Sequence, residues 1–137
     1  VINYSKEDFA KKVMELTDGE GVSVVYDGVG KSTYDKSIEC LKLRGTMVSF
    51  GNASGALDPI IVSKSLQPKG IYFVRPAMNQ YFTNSEEIHE AANMLFKQIS
   101  SGNVKIEIYK KYKLEDAVQA HKDLEGRKIT GPAVIIP

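Results

Sequence analysis

The feature that most restricts the fold of this chain is the alternation of short β-branched segments with amphipathic ones. Val22–Asp27, Thr46–Phe50 and Ile71–Val74 have the apolar, β-branched or aromatic composition of strands. The first of them is almost continuously apolar, which is typical of a parallel strand covered on both faces. The segments between and around these strands carry apolar residues at helical spacing. The pattern therefore predicts an α/β fold.

The amphipathic segments predict four helices. A capping box formed by Ser5 and Asp8 predicts a helix over 5–17, after a strand end at 1–3. A second helix begins near Lys31 and is stopped by Arg44-Gly45. Later segments predict a long helix up to Gly102, a strand at 106–108, a helix over 114–124 and a final strand at 133–136.

A β-α-β-α-β order predicts half of a doubly wound parallel sheet with right-handed crossovers. Ligands of such sheets bind at the carboxyl ends of the strands. Here those ends lead into three turns rich in small residues, Asp27–Gly30, Gly51–Ala56 and Arg75–Met78. Small residues let backbone approach a flat or phosphorylated ligand, although the same turns could merely connect strands to helices.

Several classes of function lack support. YDGVGKST resembles a phosphate-binding loop, but the required first glycine is replaced by Val25. Cys40, His89 and His121 form no metal-ligand pattern, so no metal site is predicted, and no serine lies in a nucleophile elbow. With a net charge of +1 and no long apolar run, nucleic-acid binding and a membrane span are not expected.

Four blocks carry a resemblance to a known family: VINYSKEDF, GVSVVYDGVGKSTYDKSIECLKLRGTMVSFGNASGA, KGIYFVRPAMNQY and YKLEDAVQAHKDLEGRKITGPAVIIP. In order and spacing they resemble the carboxyl-terminal half of quinone oxidoreductases related to zeta-crystallin. These enzymes belong to the zinc-independent medium-chain dehydrogenase/reductase superfamily. The resemblance implies a partial Rossmann domain over 1–103 and a carboxyl-terminal segment of the catalytic domain over 104–137.

The resemblance also implies NADPH as cofactor and a set of residues that meet it. The second and third turns would approach the nicotinamide, and Tyr4 and Arg127 would meet the 2′-phosphate, for which a guanidinium is suited. A solvated charge at a helix end is the alternative reading of Arg127. The implied cofactor-binding residues are Tyr4, Val29, Ala53, Ser54, Gly55, Ala56, Pro76, Ala77, Met78 and Arg127.

The expected activity of the parent protein is hydride transfer from NADPH to quinones or related α,β-unsaturated carbonyls. The family's glycine-rich turn would precede Val1, so this chain alone is expected to bind NADPH weakly or not at all, and its catalytic residues are unknown. A cytoplasmic homodimer paired through the strand at 71–74 is expected. The alternatives are an enoyl reductase of the same superfamily and a noncatalytic dimeric role, structural or nucleic-acid binding.

Overall fold

A computed structural model describes all residues from 1 to 137, in two compact units, 1–81 and 82–137. In the first unit the elements are α1 (Phe9–Leu16), β1 (Val22–Asp27), α2 (Tyr34–Cys40), β2 (Leu41–Ser49), α3 (Val62–Ser65), a 3-10 turn (Gln67–Lys69), β3 (Tyr72–Val74) and α4 (Met78–Tyr81). In the second they are α5 (Ser85–Ser100), β4 (Lys110–Lys113), a 3-10 turn (Leu114–Asp116), α6 (Ala117–Glu125) and β5 (Ala133–Ile136). The division into family domains at residue 103 stays a prediction.

The first unit is built on a three-stranded sheet of order β1-β2-β3, with both pairs parallel. Met47 lies at its centre, opposite Val25 on one side and Phe73 on the other. The buried core consists of Tyr34, Leu41, Met47 and Ile71. Parallel pairing of all three strands confirms the predicted α/β fold and brings the three turns to one edge of the sheet.

Helix α1 begins later than its sequence pattern predicts. The side chain of Asp8 accepts hydrogen bonds from the backbone N–H groups of Ala10 and Lys11, at 3.1 and 3.2 Å. Asp8 is therefore the N-cap, and the prediction of a start at Ser5 is wrong. The expected strand end at 1–3 is also wrong, because these residues are irregular.

The boundary between α2 and β2 also differs from the prediction. The helix ends at Cys40, and Leu41 already pairs with Val22 in the sheet. Arg44-Gly45 instead lies within β2. The register of pairing with β1 shifts here, between the pair Val22–Leu41 and the pair Val24–Thr46. Arg44 has a φ of 58°, so the turn signal marks a β-bulge and not a helix end.

The second unit contains the long helix predicted from its apolar stripe. Asn84 caps α5 by accepting a hydrogen bond from the Glu87 N–H at 3.0 Å, and Gly102 follows the helix at a φ of 77°. The strand predicted at 106–108 is absent. Its place is taken by β4, which pairs in parallel with β5 from Lys110 opposite Ala133.

A buried carboxylate joins β4 to α6 in this unit. Asp123 accepts hydrogen bonds from the Tyr112 hydroxyl at 2.8 Å, the Gln119 amide at 2.7 Å and the Lys110 ammonium at 3.2 Å. Lys128 Nζ lies 3.7 Å from the second carboxylate oxygen. The hydrogen bond from Tyr112, followed by those from Gln119 and Lys110, lowers the pKa of Asp123 to about 2. Tyr112 of β4 is buried, and its hydroxyl finds its hydrogen-bond partner in this carboxylate.

No helix of the chain has both the length and the apolar composition needed to cross a membrane.

Candidate functional site

Three turns follow the carboxyl ends of β1, β2 and β3. We call Asp27–Gly30 the first tip, Gly51–Ala56 the second tip and Arg75–Met78 the third tip. Because the strands are parallel, the tips lie at the same edge of the sheet. Side-chain and backbone contacts between them turn this shared edge into one structured surface.

The first tip is shaped by the buried side chain of Asp27. One carboxylate oxygen accepts hydrogen bonds from the backbone N–H groups of Val29 and Gly30, at 2.8 and 2.9 Å. The other accepts from the hydroxyls of Thr33 and Ser37, at 2.8 and 2.9 Å. Burial raises the pKa of Asp27, but these hydrogen bonds outweigh it and the pKa is lowered. The carboxylate therefore holds the turn onto the start of α2.

The second tip is tied to the first through Ser54. The Ser54 hydroxyl donates to the Val29 carbonyl at 2.8 Å and accepts from the Ser32 N–H at 2.9 Å. The Ser54 N–H donates to the same carbonyl at 2.8 Å. The hydroxyl proton of Ser54 is thus already used in a hydrogen bond within the protein. We therefore expect Ser54 to hold the first and second tips together and not to donate a hydrogen bond to a ligand.

Glycines allow the first two tips to approach each other. A Cβ on Gly51 would lie 2.1 Å from the Gly28 carbonyl oxygen, and one on Gly30 would lie 2.9 Å from the Gly55 oxygen. Gly30 has a φ of 89°. These glycines are therefore required for contact between the tips, which accounts for them without reference to a ligand.

The third tip is joined to the second by Arg75. Its Nη1 donates to the Ser49 carbonyl at 2.9 Å, the Ser49 hydroxyl at 3.2 Å and the Gly51 carbonyl at 3.2 Å. Ser49 is the last residue of β2 and is fully buried. The guanidinium thus joins the start of the third tip to the start of the second.

The predicted cofactor residues fall into two groups in the structure. Nine belong to the first unit, and eight of these are in the tips: Val29, Ala53, Ser54, Gly55, Ala56, Pro76, Ala77 and Met78. Met78 is 76% exposed, so its apolar side chain is accessible at the edge. Arg127 belongs to the second unit, where it follows α6 with a φ of 54°.

Tyr4 lies beside the first tip. An apolar groove of about 300 Å³ is lined by Tyr4 and Val29, together with Phe9, Val13 and Val25. The Tyr4 ring contacts that of Phe9 edge to face, with 6.4 Å between the ring centroids. The structure thus brings Tyr4 and Val29 to a common groove.

A larger cavity, of about 570 Å³, lies between α2 and residues 57–65 of the same unit. Its walls carry charges of both signs, including an ion pair between Lys31 and Asp58 at 2.9 Å. None of the predicted cofactor residues lines it. The tips, rather than this cavity, are therefore the candidate site.

Three residues that organise the site were given no individual role by the sequence, although two of them lie in the predicted turns: Asp27, Ser49 and Arg75. Asp27 and Ser49 end β1 and β2, and Arg75 directly follows β3. A polar residue that closes an apolar strand is a signal that could have identified all three, since it reaches the strand end where neighbouring turns need hydrogen-bond partners.

The chain does not provide the ligands of a zinc site. No group of three or more His, Cys, Asp or Glu side chains lies close enough together to hold a metal ion. Cys40 is buried, and this burial raises the pKa of its thiol, which disfavours the thiolate that binds metal.

Comparison with known proteins identifies a family and several relatives. The family model described as zinc-binding dehydrogenase matches residues 1–135. Quinone oxidoreductase 1 of Escherichia coli K12 is 44% identical over 139 residues, which is all of this chain and 42% of the relative. The 2-haloacrylate reductase of a Burkholderia species is 43% identical over 137 residues, covering 99% of this chain and 41% of the relative.

A solved structure agrees with these sequence matches. The crystal structure of Escherichia coli quinone oxidoreductase complexed with NADPH has a TM-score of 0.92 and 44% identity, covering 100% of this chain and 43% of that chain. The present chain therefore spans less than half the length of the proteins it matches.

Proposed function

This chain belongs to the zinc-binding dehydrogenase family, and we propose that the protein containing it transfers hydride from NADPH to quinones or related α,β-unsaturated carbonyl compounds. The observation that carries the proposal is the joining of three tips at the carboxyl edge of a parallel sheet, where dinucleotides bind in such folds. The relative complexed with NADPH supports the choice of cofactor.

We assign the second and third tips to the nicotinamide half of the cofactor, and the backbone around Val29, in the first tip, to a further contact with the cofactor. Ala53, Gly55 and Ala56 offer backbone with little side-chain bulk, and Pro76, Ala77 and Met78 offer an apolar contact surface. When bound, NADPH supplies the hydride, and the tips orient its ring and limit access of water. Asp27, through its hydrogen bonds, keeps the first tip in place. No residue of this chain is assigned as a proton donor.

Tyr4 and Arg127 are assigned to the 2′-phosphate of NADPH. A guanidinium can form two parallel hydrogen bonds with a phosphate, and a phenol hydroxyl can donate one. The assignment of Tyr4 is supported by the groove that it shares with Val29 of the first tip.

A second acceptor class is favoured by the relatives. The 2-haloacrylate reductase is 43% identical to this chain, almost as similar as the Escherichia coli quinone oxidoreductase at 44%. An acrylate is an α,β-unsaturated carboxylate, so it shares the polarised double bond of an enone. Hydride addition to that bond would use nicotinamide bound at the same tips.

The test is turnover by the full-length protein. NADPH oxidation would be followed by absorbance with a quinone, an enone, a 2-haloacrylate and an enoyl thioester, and each reaction repeated with NADH. We expect oxidation of NADPH with the quinone or the enone, and slower oxidation of NADH. Oxidation with only the enoyl thioester would assign the protein to the enoyl reductases, and oxidation with none of the acceptors would contradict the proposal.

We also propose a homodimer that pairs through the outer edge of β3. This strand ends the sheet, and its residues Tyr72 and Val74 are 65% and 40% exposed. An accessible edge with apolar side chains favours pairing with a second copy. A cytoplasmic location is part of the proposal and suits the single free thiol of Cys40, which a reducing compartment would maintain.

A further inference from the structure

We propose that Arg75 is a positioning residue, which fixes the distance between the second and third tips and so sets the shape of the nicotinamide end of the site. The inference rests on the proposed function, because it assumes that the tips bind NADPH. Arg75 acts through its hydrogen bonds to Ser49 and Gly51.

The hydrogen bonds of Arg75 support this role. Nη1 carries two hydrogens and faces three acceptors, the carbonyl and hydroxyl of Ser49 and the carbonyl of Gly51, all within 3.2 Å. These acceptors cover the end of β2 and the start of the second tip. A single nitrogen therefore holds the point where the strand becomes the turn.

Burial makes these bonds difficult to replace. Ser49 is 0% exposed, and Arg75 donates to both its hydroxyl and its carbonyl oxygen. Loss of the guanidinium would remove this donor from the hydroxyl oxygen of a residue that the rest of the protein buries. The cost of an unmade buried hydrogen bond would favour a shift of the turn.

Gly51 extends the contact to the first tip. Its N–H donates to the Asp27 carbonyl at 3.3 Å, whereas its own carbonyl accepts from Arg75. The same peptide segment is thus held by the end of β1 on one side and by the residue after β3 on the other. Removal of the Arg75 side chain would therefore release the second tip from the third. The hydrogen bond from the Ser54 hydroxyl to the Val29 carbonyl would still join the second tip to the first.

Arginine is better suited to this role than lysine. The guanidinium is planar, and its hydrogens have fixed directions, so the Nη1 position defines the positions of its acceptors. A lysine ammonium keeps the charge but rotates freely and reaches the same carbonyls with less geometric control. The substitution Arg75→Lys therefore tests whether a positive charge without the fixed geometry of the guanidinium is enough to position the tips.

The experiment measures the binding of two ligands to the full-length protein. Dissociation constants for NADPH and for adenosine 2′,5′-bisphosphate, which lacks the nicotinamide, would be determined for the wild type, Arg75→Met and Arg75→Lys. Lys11→Met, which removes an exposed charge from α1, is the matched control. We expect Arg75→Met to weaken NADPH binding about tenfold while the affinity for the bisphosphate changes less than about twofold. Arg75→Lys should lie between wild type and Arg75→Met, and Lys11→Met should match wild type.

The remaining outcomes discriminate between the proposals. Equal weakening of both ligands would indicate a general loss of structure and overturn the positioning role, as would unchanged NADPH binding by both Arg75 variants. If Arg75→Met does not fold, Arg75→Lys provides the same comparison. Failure of the wild type to bind NADPH would instead contradict the proposed function, whereas binding of NADPH with no effect at Arg75 contradicts only this inference.

Discussion

At the scale of single residues, Gly51 lies where contacts from all three tips converge. A Cβ at this position would be 2.1 Å from the Gly28 carbonyl oxygen, which is backbone and cannot rotate away. We predict that Gly51→Ala lowers the free energy of unfolding by about 1–3 kcal/mol, the usual cost of inserting a methyl group into a closely packed site. Urea unfolding of the two proteins would measure the difference.

Asn52→Ala is the control for this substitution. Asn52 is the next residue in the same tip, and its side chain is exposed, so its loss should change stability little. If Gly51→Ala and Asn52→Ala were equally stable, the close approach of the first two tips would be wrong.

Arg127 is the residue through which cofactor choice can be tested. If its guanidinium binds the 2′-phosphate, Arg127→Gln should raise the KM for NADPH about tenfold and leave the KM for NADH unchanged, because NADH lacks that phosphate. Initial rates of the full-length protein with each cofactor would measure the split.

Arg44→Gln is a matched control, because Arg44 also has a positive φ, 58° against 54° for Arg127. We expect this variant to retain the preference of the wild type for NADPH. If Arg127→Gln leaves the KM for NADPH unchanged, the result would contradict a phosphate contact and favour the alternative, in which Arg127 is a solvated charge at a helix end.

Residue identities predicted the position of the three turns better than the contacts between them. Small residues after each strand placed the tips correctly, because chain order and parallel pairing follow from a local pattern. The pairing of Arg75 with Ser49 joins residues 26 positions apart, and no local pattern specifies it. Such contacts depend on the spacing of strands in the folded sheet.

At the scale of secondary structure elements, the Asp123 cluster makes the packing of α6 on β4 depend on pH. The pKa of Asp123 is about 2 in the folded protein against an ordinary value of 3.8, mainly because Tyr112 donates to the carboxylate. A lowered folded-state pKa adds stability that is complete above the unfolded value and is lost as the pH falls through the folded value. We predict that this contribution declines between about pH 4 and pH 2.

Asp123→Asn tests the prediction. Thermal unfolding between pH 5 and pH 2 should show a smaller loss of stability with falling pH in this variant than in the wild type, because the amide does not titrate. Asp116→Asn, at an exposed carboxylate, should follow the wild-type profile. Equal pH dependence of wild type and Asp123→Asn would show that the Tyr112 hydrogen bond does not stabilise the ionised form.

Element boundaries were less predictable than element types. The signal at Arg44-Gly45 was recognised as a break in regular structure, but pairing of Val22 with Leu41 places that break inside β2. Similarly, the sequence predicts a strand at 106–108, whereas the strand in the structure includes Lys110 and the buried Tyr112. In both cases a contact distant in sequence overrides the local preference.

At the scale of the whole molecule, the open edge of β3 should determine the oligomeric state. We predict that Val74→Lys in the full-length protein shifts a dimer toward monomer, because a charge on an edge strand opposes strand pairing. Light scattering over a range of protein concentrations would measure the mass.

Ser100→Lys is the matched control, since it adds the same charge at an exposed position in the last turn of α5. This variant should have the mass of the wild type. A wild type that remains monomeric at all concentrations would contradict pairing through β3.

The order of the sheet also has a consequence for biosynthesis. The strands lie side by side in the order in which the ribosome makes them, β1, β2 and then β3. Each strand after the first therefore emerges when its neighbour is already available, and α2 separates β1 from β2 by only a short stretch of chain. Short separations reduce the entropy lost on closing each loop. The first unit can consequently assemble by stepwise addition during translation, without waiting for residues made later to insert between strands.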